Sequence, residues 1–233
     1  MFITFEGIDG SGKTTQVRRL AERLEVEGAP PPLVVRDPGG TELSERVRTL
    51  LLADDDALDV TPMAELLLFS AARAQLVEEK IRPALAEGRP VLCDRFYDST
   101  TAYQGAGRVL AEDASAPAHT DEDGDTPRDE PWLDRFHCRV TGGLAPDCTF
   151  LLRLSPEDAF RRREEAQRRQ NGDDGSGPDR MEAGPAAFHQ RVAESYDALA
   201  ARHSERFCVL DATAPPEALH ERIWREVASL RSE

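Results

Sequence analysis

Five short apolar runs punctuate the chain, and between them apolar residues return every three or four positions. Phe2, Ile3 and Phe5 form the first run and Leu33 to Val35 the second. Val91 to Cys93, within "RPVLCDRF", form the third, and "DCTFLLRL" and "RFCVLDAT" supply the last two. Runs of this length bounded by turn residues predict buried strands. After the first of them, "TTQVRRLAERLEVEG" puts Val17, Leu20, Ala21 and Leu24 on one helical face. Residues 62 to 86 read as one long helix, with Thr61 as N-cap, Pro62 at the first position and a close near Gly88. A terminal helix spans "PPEALHERIWREVASLR". The alternation predicts an α/β fold, a parallel β-sheet flanked by helices on both faces.

Two stretches break the pattern. From Glu112 to Asp134 there are nine acidic residues against one arginine, with four prolines or glycines and few apolar positions, which predicts an acidic surface insertion. "RRQNGDDGSGPDR" lies between two helices and carries arginines beside a Gly-rich linker. The length of 233 residues fits a single domain over 1–233, with that insertion and an arginine-rich lid at about 161–182. A net charge of −15 argues against a nucleic-acid partner, because a phosphate backbone is repelled on average. Any anionic substrate then needs a local arginine cluster. No run is long enough to span a bilayer, so no membrane association is expected. The first strand starts at residue 2, which leaves no room for a signal peptide, and Cys93, Cys138, Cys148 and Cys208 are scattered like reduced thiols. A cytoplasmic location is the expectation.

Candidate chemistry sits immediately after the first strand. In "FEGIDGSGKTTQ" the spacing Gly7, Gly12, Lys13, Thr14 is that of a P-loop. Glycines let backbone N–H groups turn inward around an anion, the following helix adds its positive end, Lys13 reaches the outer phosphates and the Thr14 hydroxyl suits Mg²⁺. Gly7, Ile8, Asp9, Gly10, Ser11, Gly12, Lys13, Thr14 and Thr15 are therefore the candidate triphosphate site. Lys13 is one of only two lysines, the other being Lys80, so it is poor filler. The only asparagine is Asn171, followed by Gly172, which excludes the guanine-reading N-K-x-D element of switch GTPases, and no L-S-G-G-Q stretch of a transport cassette occurs. A nucleoside or nucleotide kinase fits better.

The chain resembles the thymidylate kinases, and among them the bacterial subtype with basic lid residues. The resemblance is carried, in order, by "FITFEGIDGSGKTTQ", "RDPGGTELSERVR", "LLLFSAARAQLVEEKIRPAL", "VLCDRFYDSTTAYQGAGR", "TGGLAPDCTFLL", "DRMEAGPAAFHQRVAESYDALA" and "RFCVLDATAPPEALHERIW". It implies a P-loop nucleoside monophosphate kinase fold and phosphorylation of dTMP to dTDP by ATP with Mg²⁺, in dTTP biosynthesis, by a homodimer. By resemblance Phe69 stacks on thymine, Arg73 donates to its O4, Thr100 and Gln104 face the base and Tyr103 packs against the sugar. Arg36 and Arg95 clamp the acceptor phosphate, Asp9 lies near the sugar and a metal-bound water, and Thr14 and Asp94 are the expected metal ligands. The P-loop holds Gly10 and Ser11 where some relatives carry a catalytic arginine. The lid must then supply it, from Arg161, Arg162, Arg163, Arg168, Arg169 and Arg180, with Arg163 the expected one beside Asp9, Lys13 and Arg95. The chain departs from the pattern at Asp37, where glutamate is common, at Arg153, where an acid is common, and in the acidic insertion. A kinase for another nucleoside or nucleoside monophosphate, or a P-loop binding protein without catalysis, are the alternative readings.

Overall fold

The computed structural model describes residues 1–52, 60–107, 132–169 and 184–231. Five strands, β1 (Phe2–Glu6), β2 (Leu33–Arg36), β3 (Val91–Asp94), β4 (Cys148–Arg153) and β5 (Phe207–Asp211), form one sheet. Its order is β2-β3-β1-β4-β5 and every pairing is parallel. The chain leaves β1 toward β2 and β3 on one side, then returns past β1 to β4 and β5 on the other. This reversal opens a crevice beyond the carboxyl end of β1, the position at which open α/β sheets take ligands.

Alternation along β1 divides the core. Ile3 and Phe5 pack with Phe150 of β4, with Val17, Leu20 and Leu24 of α1 (Lys13–Val26), and with Ile223 and Val227 of α9 (Pro216–Leu230). Phe2 turns the other way and joins Val91, Cys93, Leu76 and Ile81. The helix expected over 62–86 is continuous but not uniform. It runs as α3 (Pro62–Leu76), a π-helical stretch at Val77–Ile81, and α4 (Arg82–Ala86). Thr61 has the extended backbone of an N-cap but its side chain makes no capping hydrogen bond. A second π stretch, Thr101–Gly107, prolongs α5 (Tyr97–Thr100). The remaining helices are α2 (Glu42–Leu52), α6 (Trp132–Thr141), α7 (Pro156–Arg169) and α8 (Ala186–Arg202).

Most of the acidic insertion lies outside the described residues, but its last three positions do not behave as an insertion. Trp132 to Asp134 open α6, and Leu133 is buried. A Cβ on Gly105 would meet the Leu133 Cδ1 at 2.9 Å, so that glycine leaves room for α6 to dock. Of the expected lid, residues 161–169 belong to α7 and 170–182 lie outside the described residues.

One buried ion pair ties the two halves of the sheet together. Arg206, just before β5, donates to both Asp98 carboxylate oxygens at 2.7 and 2.8 Å and to the Thr149 hydroxyl at 2.9 Å. Asp98 is buried on α5, so removal of Arg206 leaves a carboxylate without its countercharge. Arg206→Met should cost about 3 kcal/mol or more of unfolding free energy, read from the urea midpoint, and Asp98→Asn in the same chain should restore part of it. An unchanged midpoint in Arg206→Met would contradict this role.

Candidate active site

The loop between β1 and α1 is shaped by glycine. Gly7, Gly10 and Gly12 have φ values of 133°, 86° and 95°, in the region that favours glycine. Space is tight as well: a Cβ on Gly7 would come within 2.6 Å of the Leu152 carbonyl oxygen. A Cβ on Gly10 would come within 2.9 Å of the Ala159 carbonyl oxygen and 3.3 Å of Arg163 Cγ. The loop is thus pressed against β4 and α7. Lys13 opens α1, is buried, and its Nζ donates to the Gly7 and Ile8 carbonyls at 3.0 Å each. It also lies 3.8 Å from Asp9 Oδ1. Burial and the neighbouring Arg95 lower its pKa, and Asp9 opposes them.

At the carboxyl end of β3, Arg95 is the one non-glycine described residue with positive φ, 68°. Its backbone N–H donates to the Phe5 carbonyl at 3.0 Å, which fixes the turn against β1. Its guanidinium then reaches four side chains. Nη2 donates to Asp9 Oδ1 at 2.5 Å and to the Tyr103 hydroxyl at 3.2 Å, and Nη1 to Ser99 at 2.9 Å and Tyr196 at 3.1 Å. Burial pushes the Asp9 carboxyl up, but Arg95 and Lys13 outweigh it and hold the group well below the usual carboxylate range. Thr14 donates to Asp94 Oδ2 at 2.5 Å, so a hydroxyl and a carboxylate meet at the rim of the P-loop. These hard oxygen donors suit Mg²⁺, whose remaining positions are commonly filled by phosphate and water.

A smaller pocket adjoins this cleft and shares Asp9 and Arg95 with it. Phe69, Arg73, Thr100, Tyr103 and Gln104, all expected from sequence to line an acceptor site, meet there. Arg73 is 1% exposed. Its Nε donates to Asp37 at 2.5 Å and its Nη2 to Thr100 at 2.6 Å, while Nη1 is buried without a hydrogen-bond partner among the described residues. The Asp37 departure thus has a structural place as the countercharge of Arg73, at a distance its shorter side chain spans. Arg36 is half exposed, lines the cleft at the P-loop, and donates to Glu45 at 2.9 Å. Arg163 and Arg162 also line that cleft, with Arg162 tethered to the Ala212 carbonyl at 2.7 Å. Arg161 and Arg168 instead pair with Asp158 and Glu164 at the surface. The Arg169 side chain and Arg180 fall outside the described residues. Arg153 is turned away from the cleft and pairs at the surface with Asp197 of α8, at 2.8 Å.

Several residues at the site escape a reading of the sequence alone. Glu6, hidden as the last residue of an apolar strand, is fully buried beneath Arg95. It accepts from the Phe96 N–H at 2.7 Å, Ser99 at 2.5 Å and Tyr196 at 3.0 Å. Both hydroxyls donate downward to Glu6 and accept from Arg95 above. Arg48, on α2, lines both parts of the cleft and donates to the Pro38 carbonyl at 3.1 Å. The available signal was a charge placed inside an otherwise apolar run for Glu6, and for Arg48 its position two turns into the helix that follows the Gly-Gly turn.

Burial, followed by the nearby Asp98, pushes the Glu6 carboxyl up to about 7, against Arg95 and the Ser99 and Phe96 hydrogen bonds. A carboxyl raised in the folded state holds its proton where the unfolded chain has lost it, so its stabilising contribution is present below about pH 4.5 and lost as pH rises to about 7. The difference in unfolding free energy between wild type and Glu6→Gln should therefore fall across that window, at up to about 1.4 kcal/mol per pH unit, and be flat above it. A pH-independent difference in a calorimetric series from pH 4 to 8 would rule out this titration.

The geometry can be set beside known proteins. The family model for thymidylate kinase matches residues 5–121 and 128–223. A thymidylate kinase of Chlorobium chlorochromatii is 46% identical over 235 aligned residues, covering 97% of this chain and 94% of its own. One of Deinococcus radiodurans is 44% identical, with 98% and 96% covered. The crystal structure of thymidylate kinase from Ehrlichia chaffeensis superposes with a TM-score of 0.68 at 31% identity, covering 98% of both chains. A P-loop bent by three glycines, an arginine fan at the end of β3 and an adjoining pocket with an arginine at its base thus occur in a chain that belongs to the thymidylate kinase family of phosphotransferases.

Proposed function

We propose that this chain transfers the γ-phosphoryl group of ATP to dTMP, giving ADP and dTDP. The observation that carries the reading is the unpartnered, buried Nη1 of Arg73 beside Phe69, in a pocket that opens through Asp9 and Arg95 onto the P-loop. A donor left unmade in a buried place costs about 1–3 kcal/mol, so the site is built for a ligand that brings an acceptor to it. The O4 carbonyl of thymine is such an acceptor, with the ring stacked on Phe69. Thr100 and Gln104 line the base, and Tyr103 stands at the sugar.

The transfer forms a bond from a phosphate oxygen of dTMP to the γ-phosphorus and breaks the bond from that phosphorus to the departing ADP oxygen. No general base is required, because a phosphate monoester is already largely ionised near neutrality. The residues align and neutralise. P-loop N–H groups and Lys13 hold the ATP phosphates, Arg36 and Arg95 hold the acceptor phosphate, and Arg163 faces the transferred group beside Gly10, where the loop itself has no cation. Thr14 and Asp94 would hold Mg²⁺, which supplies charge neutralisation on the ATP phosphates. Asp9 keeps Arg95 turned toward the junction of the two substrates. Among the described residues no helix is long and apolar enough to cross a membrane, in keeping with the proposed cytoplasmic enzyme. A homodimer is supported by α3, where Met63 and Leu67 are 47% and 53% exposed on a helix whose opposite face already packs inward.

The deciding assay follows ADP release with dTMP, dUMP or dCMP as acceptor. Turnover should depend on dTMP, with dUMP weaker by about 1–3 kcal/mol and dCMP far behind. ADP release without an acceptor requirement, or a preference for dCMP, would defeat the reading. Lys13→Ala should lower the rate about a hundredfold or more, on the order of 3 kcal/mol in the barrier, with the fold intact by circular dichroism.

A further inference from the structure

Two of the polar groups placed at the base, Arg73 and Gln104, differ in one respect. A guanidinium carries only donors and reads the same however it turns, whereas the amide of Gln104 has a donor end and an acceptor end of almost equal size. Gln104 can therefore satisfy either hydrogen-bonding pattern unless something fixes which end points inward. Glu65 stands in the position to do so. It lies four residues before Phe69 and eight before Arg73, so the three share a stripe of α3. Glu65 and Gln104 are 1% and 2% exposed, and Gln104 Nε2 donates to Glu65 Oε1 at 2.9 Å.

From this contact we infer that Glu65 is a specificity-determining positioning residue, which holds the donor end of Gln104 and leaves its carbonyl oxygen to read the acceptor's base. The inference rests on the dTMP reading of the pocket. With Gln104 held, its Oε1 is left as an acceptor in the pocket that also holds the unpartnered donor Arg73 Nη1. That pair complements a ring N–H beside a carbonyl, as in thymine and uracil. Cytosine presents the inverse, a bare ring nitrogen beside an amino group, and would place lone pair against lone pair and donor against donor. Arg73 alone rejects the amino group. Only a fixed Gln104 also rejects the bare ring nitrogen, and the fixing group must be one that accepts from Nε2, as a carboxylate does.

The test is the ratio of kcat/KM for dTMP over dCMP in the full-length protein. In Glu65→Gln the neighbouring side chain can donate as well as accept, so Gln104 is free to reverse, and the ratio should fall by about tenfold or more, chiefly through a lower KM for dCMP. Gln104→Leu should also narrow the ratio, and adding Glu65→Gln to it should change the ratio no further. A role confined to packing would weaken both acceptors alike and leave the ratio at the wild-type value, which overturns the inference. Should Glu65→Gln fail to fold, the Gln104→Leu ratio still decides, since an unchanged value removes the reader through which Glu65 acts. Failure of the function itself looks different, because wild-type protein would then show no dTMP-dependent turnover at all.

Discussion

Arg95 leaves β3 with a backbone that an L-residue adopts at a cost, and five hydrogen bonds hold it there. One comes from its N–H to the end of β1, and four from its guanidinium to the P-loop, α5, the following π stretch and α8. Elements far apart in sequence are thereby referred to a single planar group. The arrangement depends on Asp9 staying ionised. Arg95 lies close enough to Lys13 to lower its pKa, and the carboxylate shared between them opposes that repulsion. Burial pushes the Asp9 carboxyl up, yet the two cations outweigh it and keep the group ionised, so the anion and the cations maintain one another. Glu6 supports the same group from beneath by turning two hydroxyls so that their lone pairs face the guanidinium.

The local field at the cleft opposes the overall charge of −15. Lys13, Arg36, Arg48, Arg95, Arg162 and Arg163 converge there, and several are tethered before any ligand arrives. Arg36 rests on Glu45, Arg48 on the Pro38 carbonyl and Arg162 on the Ala212 carbonyl. A tethered arginine gives up less rotamer entropy when it binds a phosphate, so the clamp is largely formed in advance. A tether to a neutral carbonyl positions a guanidinium without itself neutralising it, whereas the Arg36–Glu45 pair must share or exchange its partner when a phosphate enters.

The strands and the P-loop were legible because each follows from a local rule, an apolar run or a glycine spacing, whereas the residues that line the pocket beside it were expected through the family resemblance, helix spacing adding that Phe69 and Arg73 share a face. What could not be read were the partners across the fold. Glu6 looks like the polar end of a strand, and nothing in the sequence joins it to Tyr196, 190 residues away. Asp37 appeared only as a shortened glutamate until the buried contact to Arg73 was visible. Among the arginines expected in a lid, composition gave six candidates, and geometry separates the four whose side chains are described. Arg161 and Arg168 are spent on neighbours one turn away in the same helix, while Arg162 and Arg163 reach the cleft from the intervening positions.

The long helix shows how one element serves both the pocket and the core. Glu65, Phe69, Arg73, Val77 and Ile81 are all buried, at a constant spacing of four residues. At 3.6 residues per turn, a residue four places on is displaced by about 40° around the axis, so a uniform α-helix would carry the last of these to roughly the opposite side from the first. The π-helical stretch at Val77–Ile81 closes its turn with i→i+5 bonds, rotates less per residue and brings the drift back. Phe69 and Arg73 thus line the pocket, with Glu65 behind Gln104, while Val77 and Ile81 face the sheet beside Phe2 and Val91. The stripe could not be read from the sequence, because two of its five members, Glu65 and Arg73, are charged and their burial appears only in the fold, while no straight helix keeps a stripe of period four on one side.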